Sequence, residues 1–184
     1  RIEQTEREHR AQVPRELDLP ADFERPAVRT YRGASQPVIL SKQLTAMLKD
    51  LSLREGVTVF MTLLAGFKLL LHRYTAQDDI IVGSPIANRN HLETENLIGC
   101  FINTLALRTN LGGSPTFREL LARVREVTFD AYAHQDLAFE LLVSRLQPER
   151  KANTTPLFQV WFALGNTPAA QFDLPGISIS RIDS

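Results

Sequence analysis

From residue 41 onward the chain switches between helix-spaced and strand-like runs of apolar residues. Ser41 precedes Leu44, Met47, Leu48 and Leu51, three or four apart, which predicts a helix with Ser41 as its N-cap. Gly56 ends that turn. Thr58 caps a second helix, Val59 to Tyr74, apolar on nearly every side and so the expected central buried helix. Lys68 and His72 interrupt it and are read as solvated ends that snorkel outward. Asp78-Asp79 leads into Ile80, Ile81 and Val82, a short strand closed by a Gly83-Ser84-Pro85 turn. The following polar loop, Ile86 to Asn96, carries Arg89, His91, Glu93 and Glu95, all read as solvated. Gly99 then marks the tight start of a buried strand, Phe101 to Leu107.

Past the Gly112-Gly113 turn, Thr116 and Glu119 stand at capping-box spacing. Phe117, Leu120, Leu121, Val124, Val127 and Ala131 form the buried stripe of a helix running to about Ala133. Asp136 is expected to cap the next helix, with Phe139, Leu142 and Leu146 on one face and Pro148 as its stop. Leu157 to Leu164 reads LFQVWFAL, apolar on both faces and therefore expected as a central strand. The tail, Phe172 to Ile182, has a Pro175-Gly176 turn and then Ile177 and Ile179 in alternation, a strand in search of a partner. Alternating strands and helices predict an α/β fold with a mixed β-sheet covered by helices.

Residues 1–36 break this pattern, being dense in charge, holding Pro14, Pro20 and Pro26, and lacking periodic apolar positions. A linker or wrapping arm, more mobile than the rest, is expected there, its first dozen residues readable as a solvated helix. A short strand is expected at Pro37 to Leu40, and residues 37–184 form the folded unit.

Composition narrows the function classes. With 184 residues and 43% apolar content the chain can bury a core of one domain or one lobe. Twenty-one basic and 21 acidic side chains balance, so no field draws in nucleic acid or an anionic membrane. The longest apolar region, Val57 to Leu71, contains Lys68 and is too short for a membrane span. Cys100 is the only cysteine, which excludes an internal disulfide and fits a reducing compartment. With no signal peptide at its start, the chain is expected to be cytoplasmic.

Asn103 is the anomaly of the apolar strand. Its amide must be satisfied at a cost of about 1–3 kcal/mol if it is not, so it either braces a neighbouring loop or lines a wet cleft. A search for a nucleophile and base returns His134 and Asp136 in AHQDLAFE, but side chains two apart at a helix start diverge. Cys100 in an apolar strand is expected to be inert. His91 and Glu95 are only two potential ligands, so no metal site is expected, and no phosphate-binding glycine loop is present.

Four blocks in order resemble the C-terminal lobe of the condensation domain of nonribosomal peptide synthetases. GVTVFMTLLAGFKLLLHRYTAQDDIIVGSPIANR, Gly56 to Arg89, resembles the helix, strand and turn of that lobe. IGCFINTLALR, Ile98 to Arg108, resembles its Gly-x-Phe-Val/Ile-Asn-Thr motif; AHQDLAFELL, from Ala133, its His-Gln-Asp-x-Pro-Phe-Glu motif; and TPLFQVWF, from Thr155, its Asn-Pro-Leu-Phe-Gln-Val strand. The resemblance runs from about Leu19 to the C-terminus. Ala138 stands where the family has Pro, and RKANTTPL retains only Arg150, Pro156 and Leu157 of the Arg-Asp-x-Ser-Arg-Asn-Pro-Leu pattern. The His-His-x-x-x-Asp-Gly motif, whose second His is the family's proposed catalytic group, does not occur in these residues.

The resemblance implies one lobe of a two-lobed fold like chloramphenicol acetyltransferase, truncated at its C-terminus, with a tunnel between the lobes. It implies amide formation between thioesters on carrier-protein domains, with no cofactor bound directly and phosphopantetheine arms supplied by those carriers. Partners would be the N-terminal lobe, peptidyl carrier domains and an adjacent adenylation domain. Ser84, Gly99 and Asn103 become candidates for the substrate tunnel. Arg108, His134, Gln135, Asp136 and Arg150 become candidates for structural or interlobe contacts, and no catalytic residue is expected in this lobe. The chain alone is expected to be inactive and to self-associate through the face left bare. A silent carrier-docking module and part of a heterocyclization domain are the alternatives.

Overall fold

The computed structural model describes residues 16–23, 26, 33–90, 92–95, 97–146 and 155–165. Helix α1 spans Lys42–Arg54, and the Ser41 hydroxyl accepts from the Leu44 amide (3.1 Å) at its start. It stops at Gly56, whose φ of 63° is left-handed and open to glycine at little cost. Helix α2, Val59–Thr75, is capped in the same way by Thr58, which accepts from Met61 N (3.2 Å). Buried Ser52 and Thr62 join α1 to α2 through a 2.7 Å hydroxyl contact.

Strands β1, Asp79–Ile86, and β2, Asn103–Asn110, pair antiparallel with Val82 opposite Leu107 and Ile86 opposite Asn103. Between them lies a one-turn helix α3, Leu92–Glu95. Ile80, Val82 and Ser84 on β1, with Leu105, Leu107 and Thr109 on β2, are the buried positions of one face. Leu64, Ala65 and Leu71 of α2 pack into the same core as Leu120, Leu121 and Val124 of α4, Phe117–Ala133. Helix α4 begins on a full capping box, with Thr116 and Glu119 exchanging hydrogen bonds. Helix α5, Phe139–Leu146, follows a turn over residues 134–138.

The sheet is mixed. Gly83 N donates to Val160 O (3.0 Å) and Phe162 N donates to Gly83 O (2.9 Å), so the 160–162 segment runs parallel to β1 on the side away from β2. Gly83 has a steric reason to be glycine, because a Cβ there would fall 2.2 Å from Cε2 of Phe158. Phe158 in turn packs against Phe139 of α5 (centroids 5.4 Å apart) and edge-on to Trp161 (5.1 Å).

Several local expectations are corrected. Gly83-Ser84-Pro85 is no turn: the ladder continues through it to Ile86 because Ser84 pairs with Leu105 and Pro85 with Thr104. Residues 37–40 form no strand, and Val38 and Ile39 are 81% and 93% exposed. The second strand starts at Asn103 and not at Phe101, which leaves Cys100 exposed ahead of it. Leu157 to Leu164 contributes one bridge beside β1 instead of a central strand, with Trp161 about half exposed. Lys68 points inward and is fully buried, against the expectation of a snorkelling side chain. Leu44 and Met47 of α1 remain exposed, so that helix buries less of its apolar stripe than its spacing promised.

Part of the expected arm is core. Leu17 is buried, its amide donates to Gln159 Oε1 (2.9 Å), and Gln77 joins this segment by accepting from Asp18 N (2.8 Å) and donating to Glu16 O (3.2 Å). Pro148, Arg150 and the Phe172–Ile182 tail lie outside the described residues. No single helix among the described residues is long and apolar enough to cross a membrane.

Candidate functional site

The site is built around the first residue of β2. Asn103 sits at the strand's open end, opposite Ile86, and its side chain reaches across to the turn between α4 and α5. Nδ2 donates to the carbonyls of Gln135 (2.8 Å) and Leu137 (2.9 Å). Oδ1 accepts from Thr104 N (2.8 Å) and from Phe139 N (3.1 Å), the first amide of α5. A strand residue therefore satisfies an orphan N–H at a helix start, the job that spacing had given to Asp136. Asp136 lies exposed in the turn instead, three residues before the helix begins, too early for its carboxylate to be the cap. This one amide fastens IGCFINT to AHQDLAFE, 32 to 36 residues apart in sequence.

The other residues of the second block are held more loosely. His134 is the C-cap of α4, exposed, with Nδ1 2.8 Å from Asp130 O. Gln135 is half-buried and contributes its carbonyl to Asn103, while its amide donates to Tyr132 O (3.4 Å). His134 and Asp136 share no hydrogen bond with Cys100 or with one another that would make a nucleophile-base pair; each faces outward.

Ser84 is 4% exposed, on the buried face with Val82 and Leu105. Gly99 lies in a bend before β2, and a Cβ there would stand 3.2 Å from Cε2 of Phe101. Arg108 makes a forked ion pair with Asp79, Nε to Oδ1 at 3.0 Å and Nη2 to Oδ2 at 2.7 Å. That pair is partly exposed and links the facing strands β1 and β2.

Two side chains escaped the sequence pattern. Lys68 Nζ donates to Leu107 O (2.8 Å) and to Thr109 Oγ1 (2.6 Å), tying α2 to β2 from below. Burial pushes its pKa from 10.5 down to about 7, and the Asp79 carboxylate opposes that shift in part. Its inward direction was recoverable: Leu64, Ala65 and Leu71, three or four away, are all buried. Arg89, expected to be solvated, donates to the carbonyls of Thr94 and Gly99 and lies over the Phe101 ring. No sequence spacing announces that contact. Among the described residues, no group of three or more His, Cys, Asp or Glu could hold a metal ion.

Residues 5–182 match the condensation-domain family, and the chain belongs to it. A linear gramicidin synthase polypeptide from Brevibacillus parabrevis is 58% identical over 91% of the chain, and malpinin synthetase from Mortierella alpina is 48% identical over 91%. The chain spans only 3% and 2% of the lengths of these relatives. A crystal structure of a four-domain nonribosomal peptide synthetase bound to AMP and glycine superposes with a TM-score of 0.83 at 25% identity, covering 91% of this chain and 13% of that one. The X-domain from teicoplanin biosynthesis matches with a TM-score of 0.78 at 30% identity, covering 86% of this chain and 35% of its own. The α/β fold is thus that of condensation domains of nonribosomal peptide synthetases.

Proposed function

We propose that this chain is the C-terminal lobe of an amide-forming condensation domain, with residues 37–184 as the lobe and 1–36 as the segment leading into it. The acceptor's amine attacks the donor thioester, the C–N bond forms, the C–S bond breaks, and the donor's phosphopantetheine leaves as its thiol. The observation that carries this reading is the Asn103 network, which joins the two blocks most characteristic of the family at one end of the sheet. This lobe supplies positioning rather than proton transfer. No titratable side chain at this corner pairs with a nucleophile, and His-His-x-x-x-Asp-Gly is absent from the 184 residues. Carrier domains bring both substrates on phosphopantetheine arms, and an adenylation domain is the neighbour that loads them. Ser84, Gly99 and Asn103 line or shape the tunnel wall, while His134, Gln135, Asp136, Arg108 and Arg150 hold the lobe's own architecture and its junction with the other lobe.

The test is amide formation between two loaded carrier domains, read by mass on the acceptor's arm. The chain alone is expected to give no product, and the chain joined to a lobe bearing the His-His motif is expected to give the dipeptidyl thioester. Turnover by the chain alone would overturn the assignment of catalysis to the other lobe. Carrier binding without product in the joined protein would favour a silent docking module, and a cyclised product would favour heterocyclization.

A further inference from the structure

The connection from β1 to β2, residues 87–102, leads through Gly99 and Phe101 into Asn103, and the Arg89 side chain bridges its beginning to its end. Arg89 lies three residues beyond Ile86, the last residue of β1. Its Nη1 donates to the carbonyl of Thr94 in α3, and its Nη2 donates to the carbonyl of Gly99 (3.1 Å). The guanidinium carbon stands 4.3 Å from the centroid of Phe101. A planar fork on two carbonyls with its face on an aromatic ring is a contact Arg makes and Lys cannot reproduce. The Phe101 ring also lies close to Gly99, where a Cβ would stand 3.2 Å from its Cε2. Outside this clamp, Leu97, Ile98, Cys100 and Ile102 are exposed, and the Leu97 amide donates to the same Thr94 carbonyl (3.3 Å). The path of Gly99 to Ile102 is therefore set by Arg89 at one end and by the Asn103 hydrogen bonds at the other.

We propose that Arg89 is the positioning residue of this site, fixing the Gly99–Asn103 backbone for amide formation without touching the reacting groups. The assignment rests on the amide-forming reading of the lobe.

Its test combines two measurements. Cys100, the only cysteine of the chain, carries a nitroxide label in the 184-residue protein, and amide formation is followed in the complete two-lobed domain. In Arg89→Met the label's spectrum is expected to sharpen, and kcat to fall about tenfold while the KM for each carrier stays within about twofold. Arg89→Lys, which keeps the charge and one donor group, is expected to recover part of both effects. Phe101→Leu, which removes only the ring beneath the guanidinium, takes the place of Arg89→Met if that variant does not fold, with the same direction of change. An unaltered spectrum, an unaltered kcat, or a rise in KM alone would overturn the proposal. Wild-type domain that makes no amide overturns the functional reading and the positioning role together, whereas an active wild type with unaffected variants overturns the Arg89 assignment alone.

Discussion

Lys68 and Asn103 are polar groups placed in apolar surroundings, and they differ in what they cost. Both hydrogen-bond acceptors of Lys68 are neutral, so nothing adjacent compensates fully for a buried ammonium. The folded-state pKa of about 7 lies below the ordinary 10.5, so between those values the unfolded chain holds a proton that the folded chain has released. Stability therefore rises with pH across that window, and the benefit is lost as pH falls back through about 7. Denaturant melts between pH 7 and pH 10 should show this upward slope, on the order of 1 kcal/mol per pH unit before other groups contribute. Lys68→Met should flatten it; an equal slope in that variant would show that the lysine is not its source. Asn103 is the opposite case, with four hydrogen bonds on one amide. Asn103→Ala leaves Phe139 N and two carbonyls without their partner and should cost about 2 kcal/mol in urea unfolding. Asn103→Asp keeps the shape but turns a carboxylate oxygen onto the carbonyls of Gln135 and Leu137, so it should cost more than alanine at neutral pH and recover as the acid protonates.

Helix α4 was legible to the residue because its instructions are local: the Thr116–Glu119 box, the buried stripe and an end at Ala133 all lie within about five turns. The strands were not, since their limits depend on partners far away in sequence. Gly83 and Pro85 carry turn chemistry, yet β2 pairs straight past them, and the reason for Gly83 is a ring 75 positions later. Asn103 was legible as an anomaly but not as the cap of α5, because no window of sequence contains both. Gly83→Ala tests the ring contact. With a Cβ 2.2 Å from Phe158, the ring must leave its place between Phe139 and Trp161, and the expected loss is about 2–3 kcal/mol. Trp161 is the only tryptophan, so its emission should shift in the native state of this variant. Phe158→Leu combined with Gly83→Ala should then cost less than the sum of the two single changes; simple additivity would mean that the strand and the ring do not press on each other.

Taken as a body, the chain buries one side of a short sheet well and leaves other apolar surface in water. Val38, Ile39 and Met47 stand exposed at the start of the lobe, and Leu97, Ile98 and Ile102 stand exposed beside the Arg89 clamp. Ordered backbone carrying exposed branched side chains is surface that gains by being covered, at roughly 25 cal/mol for each Å² removed from water. The docked Leu17 segment shows the same pressure already relieved at one place, where Gln77 and Gln159 pin the chain so that Leu17 enters the core and Leu19 packs against it. We therefore expect the 184-residue chain to self-associate as its concentration rises, with apparent mass in light scattering growing smoothly instead of stepping to a fixed oligomer. Ile98→Glu and Ile39→Glu divide the surface into its two regions, and the variant that lowers the mass identifies the face in use. Adding the complementary lobe should suppress association if that face is the one the lobes share, and a monodisperse monomer at high concentration would show that neither patch is large enough to drive contact.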